Sequence, residues 1–256
     1  MNRHLVFVHG RAQQGKDSIA LKAEWIQALK DGLAKSNLTL PIPENYIHFP
    51  FYGDTLDQMA GGLSAEEAVD VIVRGEKELP PSEEAFVKAW LEQVTEQADI
   101  SDQQVRAAVP DDGLKQRGIL NWGWVQKALS LIDRKIPGAS SASVALATND
   151  VYQYLHKPSF REKMDDGVRS AFVAGTETIV VSHSLGTVVA YNVLAADSPP
   201  PDIKVPLFIT LGSPLGVKVV KEKIQRPLVN PSCVGHWFNA MDDRDVADRY
   251  WAGRTD

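Results

Sequence analysis

TIVVSHSLGTVVAYNVL, residues 178–194, is the stretch of sequence that decides the fold. Its first half is an apolar, β-branched run that ends at SHSLG, residues 182–186. Apolar residues then return at helical spacing, with Leu185 followed by Val188 and Val189. The pattern predicts a buried strand that turns directly into a helix, with Ser184 at the apex of the turn.

The apex of such a turn presents its side chain away from the sheet. The backbone there is strained, and the positions two before and two after it, Ser182 and Gly186, must be small so that strand and helix approach closely. The start of the helix directs free N–H groups and a positive dipole end towards the apex. Ser184 is therefore a candidate nucleophile, while a serine that merely caps the junction stays open as the simpler interpretation.

Composition limits the classes of protein to which the chain can belong. The net charge of −6 argues against nucleic acid and anionic membrane surfaces as partners, and the single cysteine, Cys233, excludes an internal disulfide framework and fits a reducing compartment. The apolar run at residues 5–8 is too short for a signal peptide or a membrane anchor. We expect a cytoplasmic protein with no integral membrane segment, and composition gives no indication of its oligomeric state.

Strands alternate with helices at both ends of the chain. The predicted strands lie at residues 5–8, 46–52, 179–181, 205–211 and 233–240, and Asp17 or Ser18 can cap the helix after the first strand. This alternation predicts an α/β fold, a mostly parallel sheet with helices on both faces, and ligands at the carboxyl ends of the strands.

A long helical segment interrupts this alternation at residues 54–157. Helices are predicted from Ser82 and over residues 118–132, whereas the small, uncharged residues 137–148 predict a loop. Three pairs have the spacing of a capping box: Ser64 with Glu67, Ser101 with Gln104, and Ser159 with Glu162. We interpret residues 1–256 as a single domain in which residues 54–157 form a helical cap insertion.

Four separated motifs give the chain its resemblance to a known family. They are VFVHGR at 6–11, VVSHSLG at 180–186, ITLGSP at 209–214 and WFNAMDDRDVA at 237–247. Together they resemble the α/β-hydrolase fold and, within it, lipase- and esterase-like serine hydrolases. The resemblance implies cleavage of a small-molecule or lipid ester through an acyl-enzyme, without a metal or an organic cofactor.

The resemblance also assigns roles to individual residues. It implies that Ser184 is the nucleophile and that the backbone N–H groups of Leu185 and Arg11 form the oxyanion hole. It places the acid of the triad at Asp245. Three neighbouring carboxylates stay open as alternatives to Asp245: Asp242, Asp243 and Asp248. His9 is expected to hold its loop by a hydrogen bond and not to take part in catalysis.

The sequence departs from the family at the catalytic histidine, which should follow the acid. No histidine follows Asp245. Three explanations stay open: the sequenced chain stops short of a natural C-terminus, His236 or His48 reaches Ser184 from elsewhere, or the chain is a catalytically inactive binding module. Of the histidines present, His236 is closest in sequence to the acid loop.

Two further features bear on function, and the first points to a different class of protein. GRAQQGKDS, residues 10–18, nearly matches the phosphate loop of P-loop NTPases, but Asp17 stands where a magnesium-binding hydroxyl is needed. Three tryptophans of the insertion could line an acyl pocket or simply belong to a buried core: Trp90, Trp122 and Trp124.

Overall fold

A sheet of five parallel strands organises an α/β fold, with strand order β2-β1-β3-β4-β5. The strands are β1 (His4–Val8), β2 (Ile47–His48), β3 (Thr178–His183), β4 (Val205–Leu211) and β5 (Val234–Ala240). The computed structural model describes residues 3–10, 17–52, 79–107, 122–135, 141–196, 202–224 and 228–240. The predicted α/β class and parallel sheet are confirmed.

Eight α-helices lie in the described part of the chain. They are α1 (Ser18–Ala34), α2 (Pro81–Gln97), α3 (Asp102–Ala107), α4 (Trp122–Lys135), α5 (Ser141–His156), α6 (Pro158–Arg169), α7 (Leu185–Ala195) and α8 (Lys218–Lys221). Short 3₁₀ helices occur at Glu44–Tyr46 and Pro214–Gly216. None of the helices described here has the length and apolarity needed to cross a lipid bilayer.

The chain divides into two compact units. The first, which we call the sheet unit, comprises residues 1–59, 159–211 and 229–239, and the second, the helical unit, comprises residues 60–158, 212–228 and 240–256. The predicted division into one domain with a cap at residues 54–157 stays a prediction.

Helices cover both faces of the sheet in the sheet unit. Trp25 and Ile26 of α1 pack in one cluster with Leu5, Phe7 and Val181. Side chains alternate between the two faces of a strand. The other face therefore carries Phe208, whose ring contacts Trp237, and Trp237 in turn contacts Tyr191 of α7.

Strands β1 and β3 are central, which explains their composition. Every residue of β1 is buried, and Val180 and Ser182 of β3 are fully buried. β-Branched and aromatic side chains fit a strand that is covered on both faces. By contrast, the predicted strand at residues 46–52 is reduced to β2, because it lies at the edge of the sheet and Pro50 has no N–H to donate.

The helical unit corrects one prediction about the chain. Residues 141–148, expected to be a loop, form the first half of α5. Alanine is the best helix former, and Ala145, Thr148, Asn149 and Tyr152 recur at helical spacing on a buried face. Small and polar residues occupy that face, so the sequence carries only a weak apolar signal.

The predicted capping boxes have three different outcomes. Ser101 and Gln104 form one, because each side chain bonds the backbone N–H of the other at the start of α3. The Ser159–Glu162 prediction is wrong, since α6 begins at Pro158 and Ser159 lies inside the first turn. Ser64 and Glu67 lie outside the described residues.

Substitution of Gly186 by alanine should destabilise the sheet unit. A Cβ at this position would lie 2.4 Å from the carbonyl oxygen of Val8 and 2.5 Å from that of His9. Both oxygens belong to the backbone and can move away only if the strand end shifts. We therefore expect a loss of about 2–3 kcal/mol in the free energy of unfolding. Urea unfolding followed by circular dichroism measures it.

Gly167→Ala is the matched control, because a Cβ in this helical position of α6 meets nothing within 4 Å. The free energy of unfolding of this variant should rise by about 0.5–1 kcal/mol, because alanine is a better helix former than glycine. Equal stability of the Gly186→Ala variant and the wild type would contradict the close approach of α7 to β1.

Candidate active site

The strand order points to one place on the sheet. The chain passes from β1 to β2 on one side and later returns with β3 on the other side of β1. In sheets of this kind, ligands bind outside the carboxyl ends of the two strands at which the order reverses. His9 and Gly10 follow β1 at this edge, and Ser184 follows β3.

Ser184 has the backbone of a strained apex. It lies between the last residue of β3 and the first residue of α7, with φ 52° and ψ −129°. Its N–H donates to the carbonyl of Leu211 at 2.9 Å, and its carbonyl accepts from the N–H and the hydroxyl of Thr187 at 2.9 and 2.7 Å. The half-buried side chain makes no capping hydrogen bond to α7. The interpretation of Ser184 as a mere helix cap is therefore not supported.

Three small residues allow strand, helix and loop to meet around Ser184. A Cβ on Gly10 would lie 2.8 Å from the Cβ of Ser184 and 3.4 Å from its Oγ. Gly186 packs against the backbone at the end of β1, as described above. Ser182 is fully buried and its hydroxyl donates to the carbonyl of Ile209 at 3.1 Å, so the polar atom of this small residue is satisfied in the space available.

The start of α7 supplies one predicted oxyanion donor. Leu185 is the first residue of the helix, so its N–H has no acceptor within the helix and points with the positive end of the helix dipole. Arg11, the other predicted donor, lies outside the described residues.

His9 is held by hydrogen bonds at both ring nitrogens. The N–H of Tyr52 donates to Nε2 at 3.2 Å, which assigns the ring proton to Nδ1, and Nδ1 donates to the carbonyl of Gly10 at 2.7 Å. The Tyr52 hydroxyl also donates to the His9 carbonyl. Burial lowers the pKa of His9 to about 4, against the opposing effect of the Gly10 hydrogen bond. His9 is therefore neutral and has no free nitrogen with which to accept a proton from Ser184.

His236 is not brought to Ser184. Trp237 and Asn239 both bond the hydroxyl of Thr210, which pairs with Ser182. His236 therefore lies about four residues before Ser184 along the strand direction, roughly 13 Å away, and two strands to the side. Its neighbour Trp237 faces α7, so His236 points to the opposite face.

His48 is equally remote from Ser184. It is aligned with Val6, which pairs with Val180, and it lies two strands from β3. This register again leaves about four residues, roughly 13 Å, along the strand direction. Its Nε2 shares a hydrogen bond of 2.8 Å with Nδ1 of His4.

The two remaining histidines have other surroundings. The ring of His183 meets Trp25 edge-on, with 6.3 Å between centroids. His156 belongs to the helical unit, where it stacks on Tyr152 and contacts the ring of Phe86.

The other predicted site residues divide into those inside and those outside the described part of the chain. Asp245 and its alternatives Asp242, Asp243 and Asp248 lie outside it. In the helical unit, Trp90 is a buried core residue and Trp124 donates to Asp102 at 2.9 Å. Their role in an acyl pocket stays a prediction.

Two residues that hold the backbone around Ser184 are not among the predicted site residues: Tyr52 and Thr187. In the sequence, Tyr52 is only the last residue of the predicted strand at 46–52, and its bonds to His9 depend on where the edge strand ends. Thr187 lies three residues after the apex, and that spacing matches a hydroxyl that bonds back to the carbonyl of residue i−3. This spacing was the one signal available.

The chain matches no protein-family model, and comparisons with curated proteins and with solved structures give no significant match.

Replacement of Ser184 by glycine and by alanine should separate the strain at the apex from its chemistry. Both variants lose the hydroxyl, but only glycine accepts φ 52° without a steric cost. We expect Ser184→Gly to be more stable than Ser184→Ala by about 1 kcal/mol, the strain relief less the entropy of the unfolded chain. Urea unfolding measures the difference. A Ser184→Gly variant that is less stable than Ser184→Ala by about 0.4–1 kcal/mol, the entropy cost of glycine alone, would show that the apex carries no strain.

The free energy of unfolding should fall as the pH is lowered from above the reference pKa of His9, 6.5, towards its folded-state pKa of about 4. The pKa of this group is about 4 in the folded chain and 6.5 in the reference state, so the unfolded chain binds more protons between these values. The free energy of unfolding should drop by about 1 kcal/mol between roughly pH 7.5 and pH 5.5 from this group. Urea titrations at both pH values measure it.

His9→Asn should flatten that dependence, because asparagine does not titrate. The matched control is His48→Asn: burial, His4 and Lys22 lower the pKa of the less buried His48 as well, so this variant should remove a smaller part of the slope. An unchanged slope in His9→Asn would assign the dependence to other groups.

Proposed function

We propose that the chain is a serine hydrolase of carboxylic esters that forms an acyl-enzyme on Ser184. The observation that supports this most directly is the backbone of Ser184, strained at φ 52° between a buried strand and a helix start. A folded chain keeps such strain only where the surroundings enforce it, and strained residues cluster at functional sites. The four motifs that resemble α/β-hydrolases point to the same residue.

The surroundings of Ser184 suit acyl transfer. Attack of Oγ on an ester carbonyl moves a pair of electrons onto the carbonyl oxygen, and the N–H of Leu185 can stabilise this oxyanion at the positive end of α7. The resemblance adds the N–H of Arg11 as a second donor. Collapse of the intermediate expels the alcohol and leaves the acyl group on Ser184, and water then releases the acid.

The proton of Ser184 requires an acceptor, which in the family is a histidine oriented by an acid. The resemblance assigns the acid to Asp245. Within the described sheet unit, His9 has both ring nitrogens engaged, and His48 and His236 lie roughly 13 Å away along the strands. These placements favour the second candidate function, a non-catalytic binding module that keeps the same apex as part of a ligand site.

An NTPase is the weaker alternative. Asp17 is the N-cap of α1, where its carboxylate accepts the N–H of Ile19 at 2.8 Å. A phosphate at that helix start would have to displace this carboxylate and would meet its negative charge.

Labelling with a fluorophosphonate probe distinguishes the enzyme from the binding module. The wild-type chain should be labelled stoichiometrically, and Ser184→Ala should not be labelled, because the probe reacts only with an activated hydroxyl. Ester hydrolysis should fall by about a thousandfold or more in the same variant. Mass spectrometry of the labelled peptide identifies the residue.

Ser213→Ala is the matched control, because Ser213 is a buried serine whose hydroxyl caps the turn after β4. It should be labelled like the wild type. If the folded wild-type chain is not labelled, the binding module replaces the enzyme as the better proposal.

A further inference from the structure

Tyr52 lies a few residues after the edge strand β2 and bonds His9, at the start of the loop that passes beside Ser184. It makes two hydrogen bonds to one residue, from its N–H to Nε2 of His9 and from its hydroxyl to the carbonyl of His9. The two rings are also stacked, with 4.0 Å between centroids. His9 is thus held at its ring and at its backbone by the same tyrosine, and we call these two hydrogen bonds the Tyr52–His9 clamp.

We propose that Tyr52 is a positioning residue for the site: by holding His9, it fixes Gly10 against the reactive side chain of Ser184. This inference rests on the proposed hydrolase function, because positioning matters only if Ser184 reacts. Tyr52 touches neither a reacting atom nor a substrate in this scheme, so it acts through His9 and Gly10.

The hydrogen bond from the N–H of Tyr52 determines the tautomer of His9. A backbone N–H can only donate, so Nε2 of His9 must carry a lone pair and Nδ1 must carry the proton. That proton is bonded to the carbonyl of Gly10. With the other tautomer, an Nδ1 lone pair would face the lone pairs of the Gly10 oxygen. The N–H of Tyr52 therefore selects the state in which the Gly10 peptide is held.

The hydroxyl of Tyr52 holds the backbone of His9. Burial raises the pKa of Tyr52, so its hydroxyl stays protonated and donates to the His9 carbonyl. The same carbonyl lies against Gly186 in the first turn of α7. Loss of the hydroxyl would leave a buried acceptor unsatisfied at the point where β1 meets the helix that follows Ser184.

The backbone held by the Tyr52–His9 clamp lies next to Ser184, the proposed nucleophile. Gly10 lies so near that an added Cβ would be 3.4 Å from Oγ of Ser184. A change in the His9 ring or carbonyl would therefore act on backbone that lies beside this hydroxyl. Misplacement of catalytic groups by about 1 Å can cost on the order of a hundredfold in rate.

Tyr52→Phe tests the clamp, because it removes the hydroxyl and keeps the ring and the backbone N–H. We expect kcat for p-nitrophenyl acetate to fall by about tenfold to a hundredfold, with KM within about twofold. The rate of fluorophosphonate labelling at Ser184 should fall in parallel. Both measurements are made on the full chain.

Tyr191→Phe is the matched control. Tyr191 is also a buried tyrosine of the sheet unit whose hydroxyl bonds backbone groups, those of Val229 at 3.1 and 3.3 Å. It should lose stability comparably and keep its kcat. Melting temperatures of both variants separate a loss of stability from a loss of positioning.

Two substitutions of His9 test the same point from the other side. The side-chain nitrogen of asparagine can replace Nδ1 as donor to the Gly10 carbonyl. The amide of the longer glutamine takes the place of Nε2 beside Tyr52 and leaves no donor at the position of Nδ1. His9→Asn should retain several times more activity than His9→Gln. A purely structural role would not produce this order in the labelling rate at matched stability.

The outcomes separate the two proposals. If the wild type is labelled and Tyr52→Phe reacts as fast as Tyr191→Phe, the positioning role is overturned while the hydrolase stands. If the folded wild type is not labelled at Ser184, the hydrolase proposal fails and the positioning role fails with it. Slower labelling of Tyr52→Phe alone supports both.

Discussion

The contact between the end of β1 and the first turn of α7 is the constraint on which the site depends. Two backbones approach there more closely than side chains would allow, at Gly10 beside Ser184 and at Gly186 beside the carbonyls of Val8 and His9. The helix can begin immediately after β3 only because these positions carry no Cβ. That abrupt start forces Ser184 into its positive φ and turns its side chain out of the sheet.

The cost of this geometry is offset by burial. A non-glycine residue at such a backbone costs of the order of 1–3 kcal/mol. Ten consecutive residues of α7, from Leu185 to Leu194, are buried, and each large apolar side chain among them contributes roughly 1.5–3 kcal/mol. The hydrogen bonds from Thr187 to the Ser184 carbonyl add local support. The strain is thus small beside the packing that maintains it.

The sequence allowed the framework of the site to be predicted where a local pattern encodes it. The β-branched runs, the helical spacing after Leu185 and the small residues around Ser184 each determine a backbone conformation within a few residues. The loop expected at 141–148 failed because alanine and serine are compatible with both helix and loop, and burial decides between them. Small side chains carry too little hydrophobic signal for that decision to be visible.

What the sequence could not provide is register. His236 is close in sequence to the predicted acid loop, yet the pairing of β5 beside β4 places it well before the carboxyl end of the sheet. The Tyr52–His9 clamp likewise follows from where β2 ends beside β1, which no local pattern in YIHFPFY states. Contacts between strands distant in the chain determine which side chains lie near Ser184.

The pairing of β1 with β3 also has a consequence for the order in which the molecule is made. The two ends of this pairing are far apart in the chain, since Arg3 and Glu177, bonded beside it, are 174 positions apart. During synthesis, β1 can meet β2 early, but the 174 positions from Arg3 to Glu177 must be made before β3 leaves the ribosome. Closing so long a loop slows folding. The central pairing of the sheet can therefore form only after helices α2 to α6 have been synthesised.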